Sequence, residues 1–250
     1  MPPASPDRQI RATWYAGSET LLGEFWTMLH LPYTGMVLGF VLLGAAVAPS
    51  FSWTLLDGTL LAYFLGLGIG AHFLDQIPGM GSRYVTRWPT WALWVVGFVT
   101  LIVAVTLGIV GSLLFVGPLM LLLVGAQALC AIGYPLASWF RGVFHRDSVF
   151  ALSWGSLPFL ISFYAQTHTM SVGSLLLAAI FGGIALLEIH LSRISRRLRL
   201  QTRSRRDSTD TRSDQGFPSF RGVDLALEIL SFGTIFLSLS VFAIRAGFMA

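Results

Sequence analysis

The sequence predicts an all-α protein, a polytopic transmembrane helical bundle of about seven spans. The chain has 250 residues, of which 54% are hydrophobic and only 11% are charged. Its apolar residues fall in runs of about 20, the length that one helix needs to cross the hydrocarbon core of a bilayer. The basic residues concentrate in alternate loops, which is typical of an integral membrane protein.

Each predicted span is an apolar run bounded by turn signals. The spans are expected at 31–48, 55–74, 91–110, 113–132, 149–166, 172–189 and 223–246. Ahead of them, the segment 18–30 carries Leu21, Leu22, Phe25, Trp26 and Leu29 at helical spacing. This spacing predicts either an interfacial amphipathic helix or a simple extension of the first span.

The chain therefore divides into four parts. They are a cytoplasmic N-terminus with the interfacial helix at 1–30, a six-helix transmembrane core at 31–190, an Arg-rich cytoplasmic loop and flexible linker at 191–222, and a seventh transmembrane helix at 223–250.

The distribution of charge predicts the orientation. All 16 basic residues are Arg, and the loops at 50–54, 111–112 and 167–171 contain none of them. Most of the Arg residues precede the first span or follow the second, fourth and sixth: Arg8, Arg11, Arg83, Arg87, Arg141, Arg146 and seven between 193 and 206. The positive-inside rule therefore predicts a cytoplasmic N-terminus and an external C-terminus. We expect a bacterial or archaeal inner membrane.

The basic isoelectric point, near 9.7, comes mostly from the segment RISRRLRLQTRSRR. We interpret this segment as an anchor for anionic lipid headgroups, and not as a nucleic-acid-binding site. The single cysteine, Cys130, cannot form an internal disulfide. The sequence has no serine-hydrolase, HExxH or P-loop signature.

The end of the second predicted span places two ionisable residues close together. In GAHFLDQIPG, His72 and Asp75 are three residues apart and share one face of a helix. They lie at the cytoplasmic mouth of the span, where a charge can reach water or a ligand headgroup. The pair can be structural, with the two side chains hydrogen-bonded to each other, or it can belong to a binding site.

Three segments, in this order, resemble the UbiA family of intramembrane prenyltransferases. They are EFWTMLHLPYTGMVLGFVLLGAAVAP, the helix that ends in GAHFLDQIPG, and GYPLASWFRGVFHRDSVFALSWGSLPFLISF. Together they correspond to about two thirds of the chain, and the resemblance implies a UbiA-like bundle. That family usually has nine spans, where this sequence predicts about seven.

The resemblance also implies a metal site. The family holds Mg²⁺ and an isoprenoid diphosphate between two Asp-rich motifs. Here the first motif retains Asp75, with Gln76 and Gly79 where further carboxylates are expected, and the second, LLEIHLSRISRRLR, offers Glu188. The implied Mg²⁺ ligands are therefore Asp75 and Glu188, completed by phosphate and water.

The remaining site residues follow from the same resemblance. The implied catalytic residues are Asp75, Glu188 and His72. The implied substrate-binding residues are Arg83, Arg141, Arg146 and Tyr134. Each of these Arg residues also satisfies the positive-inside rule without a ligand. Glu188 can equally pair with an Arg of the following segment such as Arg193, and His190, two residues away, must face another direction.

Two functions remain open. The first is a divergent UbiA-like protein that binds a prenyl diphosphate and transfers the prenyl group to an acceptor. The alternative is a non-catalytic transmembrane subunit of a larger membrane complex that carries quinones, carotenoids or chlorophyll. The depleted Asp-rich motifs favour the second function, whereas His72, Asp75 and the ordered Arg loops favour the first.

Overall fold

The computed structural model describes residues 14, 15, 17, 20–78, 87–207 and 220–247, and their regular structure is entirely helical. The described helices are α1 (Leu21–Met28), α2 (Leu31–Ala46), α3 (Trp53–Asp75), α4 (Thr90–Val116), α5 (Pro118–Gly133), α6 (Asp147–Thr167), α7 (Val172–Asp207) and α8 (Phe220–Gly247). Three of them contain π-helical segments: Phe64–Ala71 in α3, Ser112–Val116 in α4 and Leu152–Ser156 in α6.

Among the described residues, five helices are long and apolar enough to cross a membrane: α3, α4, α6, α7 and α8. The number rises to six if α1 and α2, which meet at a bend of 42°, form one broken span. The predicted all-α chain with several helices suited to a membrane is therefore confirmed. Seven spans stay a prediction, because α2 and α5 have 16 residues each, or about 24 Å against a hydrocarbon core of about 30 Å.

Helix α1 lies in the segment for which the sequence predicts an interfacial helix. The Thr20 hydroxyl caps its first turn by accepting a hydrogen bond of 3.1 Å from the Gly23 N–H. The chain then breaks at His30, which has left-handed backbone geometry with φ of 48°. The exposed face of α1 is apolar and consists of Leu21, Leu22 and Trp26. The break makes α1 a separate helix and not a straight extension of α2.

Helix α6 forms the centre of the bundle. In its most apolar stretch 67% of the residues are buried, against 22% in α4 and in α8. Two glycines allow its neighbours to approach closely. A Cβ atom on Gly44 of α2 would lie 2.4 Å from the Phe159 carbonyl oxygen, and one on Gly155 of α6 would lie 2.4 Å from the Phe181 carbonyl oxygen of α7. Any side chain at either glycine would push the helices apart.

Polar contacts close the bundle at the end that has few Arg residues. The Ser52 N–H donates to Gln166 Oε1 at 2.6 Å, and Gln166 Nε2 donates to the Ser52 carbonyl at 3.1 Å. Arg245 near the end of α8 donates to the Pro49 carbonyl at 3.2 Å. These bonds join the α2–α3 connection to the ends of α6 and α8.

Ion pairs join the helices at the opposite, Arg-rich end. Arg193 of α7 pairs with Asp147 at the start of α6. Six residues further along α7, Arg199 pairs with Asp224 of α8, which also accepts a hydrogen bond from the Ser195 hydroxyl. Part of the Arg-rich segment is therefore packed against the bundle through specific carboxylates.

Candidate functional site

A cavity of about 110 Å³ opens among the helix ends at the Arg-rich end of the bundle. Four of the residues that the sequence singles out line it together: His72, Asp75, Tyr134 and Glu188. They come from α3, from the residue that follows α5, and from α7. The structure thus brings the two predicted metal-binding carboxylates into one cavity.

The π-helical segment of α3 positions the His72 ring. Its Nδ1 lies 3.1 Å from the Gly68 carbonyl oxygen, within that segment. Since a carbonyl can only accept, Nδ1 carries the proton of this bond. In the neutral ring Nε2 is then unprotonated and can accept a proton or bind a ligand.

A second imidazole packs against the first. The His30 and His72 rings are stacked, with centroids 4.5 Å apart and 13° between their planes. His30 also lines the cavity, and its Nδ1 donates to the Met28 carbonyl at 2.6 Å. His30 is not among the site residues that the sequence predicts, because its position depends on the break between α1 and α2.

Aromatic rings form much of the remaining wall: Trp14, Tyr15, Tyr33, Tyr134, Phe150 and Trp154. Phe150 and Trp154 stack with centroids 4.9 Å apart, and Tyr134 packs on Trp154 at 5.2 Å. On the other side, Trp14 Nε1 donates to the Tyr33 hydroxyl at 3.2 Å. The faces of such rings carry negative potential and favour positive charge.

Helix α7 supplies both signs of charge. Glu188 is 5% exposed, and Arg193 and Arg196 line the cavity beyond it. Arg193 makes a bidentate ion pair with Asp147, at 2.7 and 2.9 Å. The ion pair that sequence analysis considered between Glu188 and Arg193 is therefore replaced by one with Asp147.

The other predicted residues lie elsewhere. Arg141 and Arg146 are exposed on the connection between α5 and α6 and do not line the cavity. Arg83 lies outside the described residues. His190 approaches Asp147, with Nε2 3.7 Å from Oδ2, and does not line the cavity.

Of the two Arg residues of the cavity, Arg193 was named from the sequence only as a possible partner of Glu188 and Arg196 was not singled out, although a signal for Arg196 exists. Glu188, Ser192, Ser195 and Arg196 all line the cavity and are spaced i, i+4, i+7 and i+8. This spacing keeps them on one face of a helix. Choosing Arg residues by their helical phase relative to Glu188 would therefore have found Arg196.

A metal ion at this site would need coordinating atoms from a bound substrate in addition to those of the protein. Within the described part of the chain, no three His, Cys, Asp or Glu side chains come together in a group that could hold a metal ion. Asp75 and Glu188 together place two carboxylates, which are oxygen donors, in one cavity. This donor set fits Mg²⁺ that is bound partly through substrate phosphate, since Mg²⁺ commonly uses one or two carboxylates together with phosphate and water.

A second, larger space lies between α3, α4 and α5, and Ile161 and Ala165 of α6 also line it. This apolar groove has a volume of about 250 Å³ and extends from Thr54 and Val110 down to Leu67 and Ala131. Tyr63 and Gln127 are among its few polar lining residues. The Tyr63 hydroxyl donates to Gln127 Oε1 at 3.3 Å, and Gln127 Nε2 donates to the Ser153 hydroxyl of α6 at 2.7 Å.

Comparison with known proteins gives no match to a protein-family model, to a curated protein or to a solved structure.

Proposed function

We propose that the chain is a UbiA-like intramembrane protein that binds a prenyl diphosphate at its Arg-rich end and transfers the prenyl group to an acceptor. One observation carries the proposal: Asp75 and Glu188, from helices distant in sequence, line the same cavity. Ionisable side chains at membrane depth are costly and usually serve a function. The resemblance of three segments to the UbiA family supports the same function.

The charges in the cavity bear on the kind of ligand. Two carboxylates face it, and the guanidinium of Arg193 is already paired with Asp147. Asp75 and Glu188 would repel a diphosphate, so a cation between them and the phosphates would favour its binding beside Arg196. Mg²⁺ held by these two carboxylates would supply that positive charge and stabilise the leaving diphosphate.

The side chains of the cavity have distinct proposed roles. Arg196 contacts phosphate oxygens, for which guanidinium is well shaped, and Arg193 adds positive charge beside it while it stays paired with Asp147. The aromatic wall faces the allylic carbon, whose positive charge develops as its bond to the diphosphate oxygen breaks. The acceptor then forms a bond to that carbon, and its proton passes to Nε2 of His72. Arg141 and Arg146 would attract the anionic substrate towards this end.

Binding of radiolabelled geranylgeranyl diphosphate to the purified protein in mild detergent tests this proposal. We expect Mg²⁺-dependent binding that Asp75→Asn and Glu188→Gln each weaken at least about tenfold, which corresponds to about 1.4 kcal/mol. Asp57→Asn is the matched control, because Asp57 is an exposed carboxylate at the other end of α3. Unchanged affinity in Asp75→Asn and Glu188→Gln would refute the proposed site.

The second candidate function is a non-catalytic subunit of a membrane complex. The absence of a three-ligand metal group among the described residues favours it. Such a subunit should co-purify in fixed stoichiometry with partner proteins and with quinone, carotenoid or chlorophyll, independently of Mg²⁺. Mass spectrometry of the natively purified protein distinguishes the two functions, because the enzyme should be isolated without such partners.

A further inference from the structure

The apolar groove between α3, α4 and α5 contains a small polar layer in its wall. The Tyr63 hydroxyl donates to Gln127 Oε1 at 3.3 Å, and Gln127 Nε2 donates to the Ser153 hydroxyl at 2.7 Å. Tyr63 and Gln127 line the groove, whereas Ser153 is buried in α6. The groove therefore presents an amide group among mainly apolar side chains.

This polar layer lies near the middle of the membrane. Tyr63 is ten residues from Trp53 at the beginning of α3 and twelve residues from Asp75 at its end. These separations correspond to about 15 and 18 Å along the helix, in a hydrocarbon core that is about 30 Å thick. Water is excluded from the lipid at this depth, and the ester and phosphate groups of phospholipids lie at the membrane surface.

The Gln127 side chain has a hydrogen-bond donor left over. An amide nitrogen carries two N–H groups, and among the residues that the structure describes Gln127 Nε2 donates only to Ser153. Gln127 is half-buried and lines the groove, so the second N–H is accessible from it. A donor without a partner is costly in hydrocarbon. A ligand with an acceptor oxygen would remove that cost.

Two close contacts between helices keep the groove narrow. A Cβ atom on Gly66 of α3 would lie 3.2 Å from Cβ of Ala104 of α4, and one on Gly108 of α4 would lie 2.8 Å from Cγ1 of Val124 of α5. All four residues line the groove, whose volume is about 250 Å³. A narrow space of this size suits a flat molecule better than a bulky one.

We propose that the groove binds a flat, neutral, apolar molecule through a carbonyl group that accepts a hydrogen bond from Gln127 Nε2. A carbonyl matches a single remaining donor because it only accepts. A charged group would be costly at this depth, and the carbonyl groups of a phospholipid lie too close to the membrane surface. This site is separate from the cavity at the Arg-rich end, and the inference does not rest on the proposed function.

The experiment compares 9-fluorenone with fluorene, which has the same three-ring skeleton without the carbonyl. Binding to the full-length protein in phospholipid nanodiscs is measured by equilibrium dialysis, with empty nanodiscs subtracted. We expect the wild type to bind 9-fluorenone about fivefold more tightly than fluorene, the effect of one net hydrogen bond. Gln127→Met, which keeps an unbranched side chain without N–H groups, should remove this preference and retain the affinity for fluorene.

Tyr63→Phe is the matched control. It removes a hydroxyl group from the same polar layer but leaves both N–H groups of Gln127, so most of the preference for 9-fluorenone should remain. Gln127→Leu is the second variant in case Gln127→Met does not fold. If either Gln127 variant folds and keeps the wild-type preference, the proposed hydrogen bond is wrong.

Infrared spectroscopy tests the same contact in the wild type alone. The carbonyl stretching band of bound 9-fluorenone should lie at lower wavenumber than the band in empty nanodiscs, because a hydrogen bond weakens the C=O bond. An unshifted band, or equal affinity of the wild type for 9-fluorenone and fluorene, would overturn the proposal. Binding of neither molecule would overturn it as well.

Discussion

The imidazole rings of His30 and His72 stack at 4.5 Å and join the break between α1 and α2 to the end of α3. Each ring is fixed by a hydrogen bond to a carbonyl of its own segment, Met28 for His30 and Gly68 for His72. The stack therefore connects two separately oriented rings. It makes the position of the His72 ring depend on the conformation at the beginning of α2.

This dependence predicts an energetic coupling between the two rings. A double-mutant cycle with His30→Ala and His72→Ala should give a coupling free energy of about 0.5–1.5 kcal/mol, the range for packed aromatic pairs. The measurement is SDS-induced unfolding in mixed micelles. A control cycle that combines His72→Ala with His168→Ala should give a coupling near zero, because His168 follows the last residue of α6, at the end of the bundle that has few Arg residues. Equal values in the two cycles would contradict a specific stack.

The ion pair between Arg193 and Asp147 should contribute modestly to stability. The two side chains are 28% and 36% exposed, so water screens them, but the contact is bidentate. We expect a coupling of about 1 kcal/mol from a cycle with Arg193→Ala and Asp147→Asn. Arg193→Lys should lose most of that coupling, since an ammonium group cannot make the planar double contact. Full stability in Arg193→Lys would argue against the bidentate geometry.

Asp224 should matter more for stability than any other acidic residue on α8. It is 6% exposed and contacts both Arg199 and Ser195 of α7. Asp224→Asn removes the buried carboxylate that contacts both Arg199 and Ser195, so we expect a loss of about 3 kcal/mol in the free energy of unfolding. Glu228→Gln, one turn further along α8, is the control and should change stability by no more than about 0.5 kcal/mol. Similar losses in the two variants would refute a specific stabilising role for the contacts of Asp224 with Arg199 and Ser195.

The predicted orientation can be tested by labelling from outside the cell. The native cysteine, Cys130, is first replaced by Ser, and Arg146→Cys or Thr169→Cys is added at an exposed position. Because the positive-inside rule places Arg-rich loops in the cytoplasm, a membrane-impermeant maleimide should label only Thr169→Cys in intact cells. Arg146→Cys should react only after permeabilisation. The reverse pattern would invert the topology.

Hydropathy predicted the helices well because a long apolar run is a local property of the chain. Helical periodicity likewise predicted that Glu188 and His190 face different directions, although it could not by itself choose between them. The partners of charged residues could not be found in this way. Asp147 is next to Arg146 in sequence, yet it pairs with Arg193, because the ion pair depends on how α6 and α7 pack.

Two features of the site depend on tertiary geometry and left no clear sequence pattern. The stack of His30 on His72 requires the break between α1 and α2, where a residue other than glycine adopts positive φ. The groove depends on how α3, α4 and α5 are spaced, and the spacing between helices cannot be read from any single helix. The sequence could therefore predict individual site residues but not the cavities that they form.

Helix α7 has a mechanical consequence. It runs as one unbroken α-helix of 36 residues, so its own cavity-lining residues and its last residue, Asp207, belong to the same continuous helix. Asp207 lies about 21 Å beyond Arg193 along the helix axis. Because the helix is unbroken, a force applied at Asp207 would be transmitted past the ion pair between Arg199 and Asp224 to the cavity-lining residues of α7.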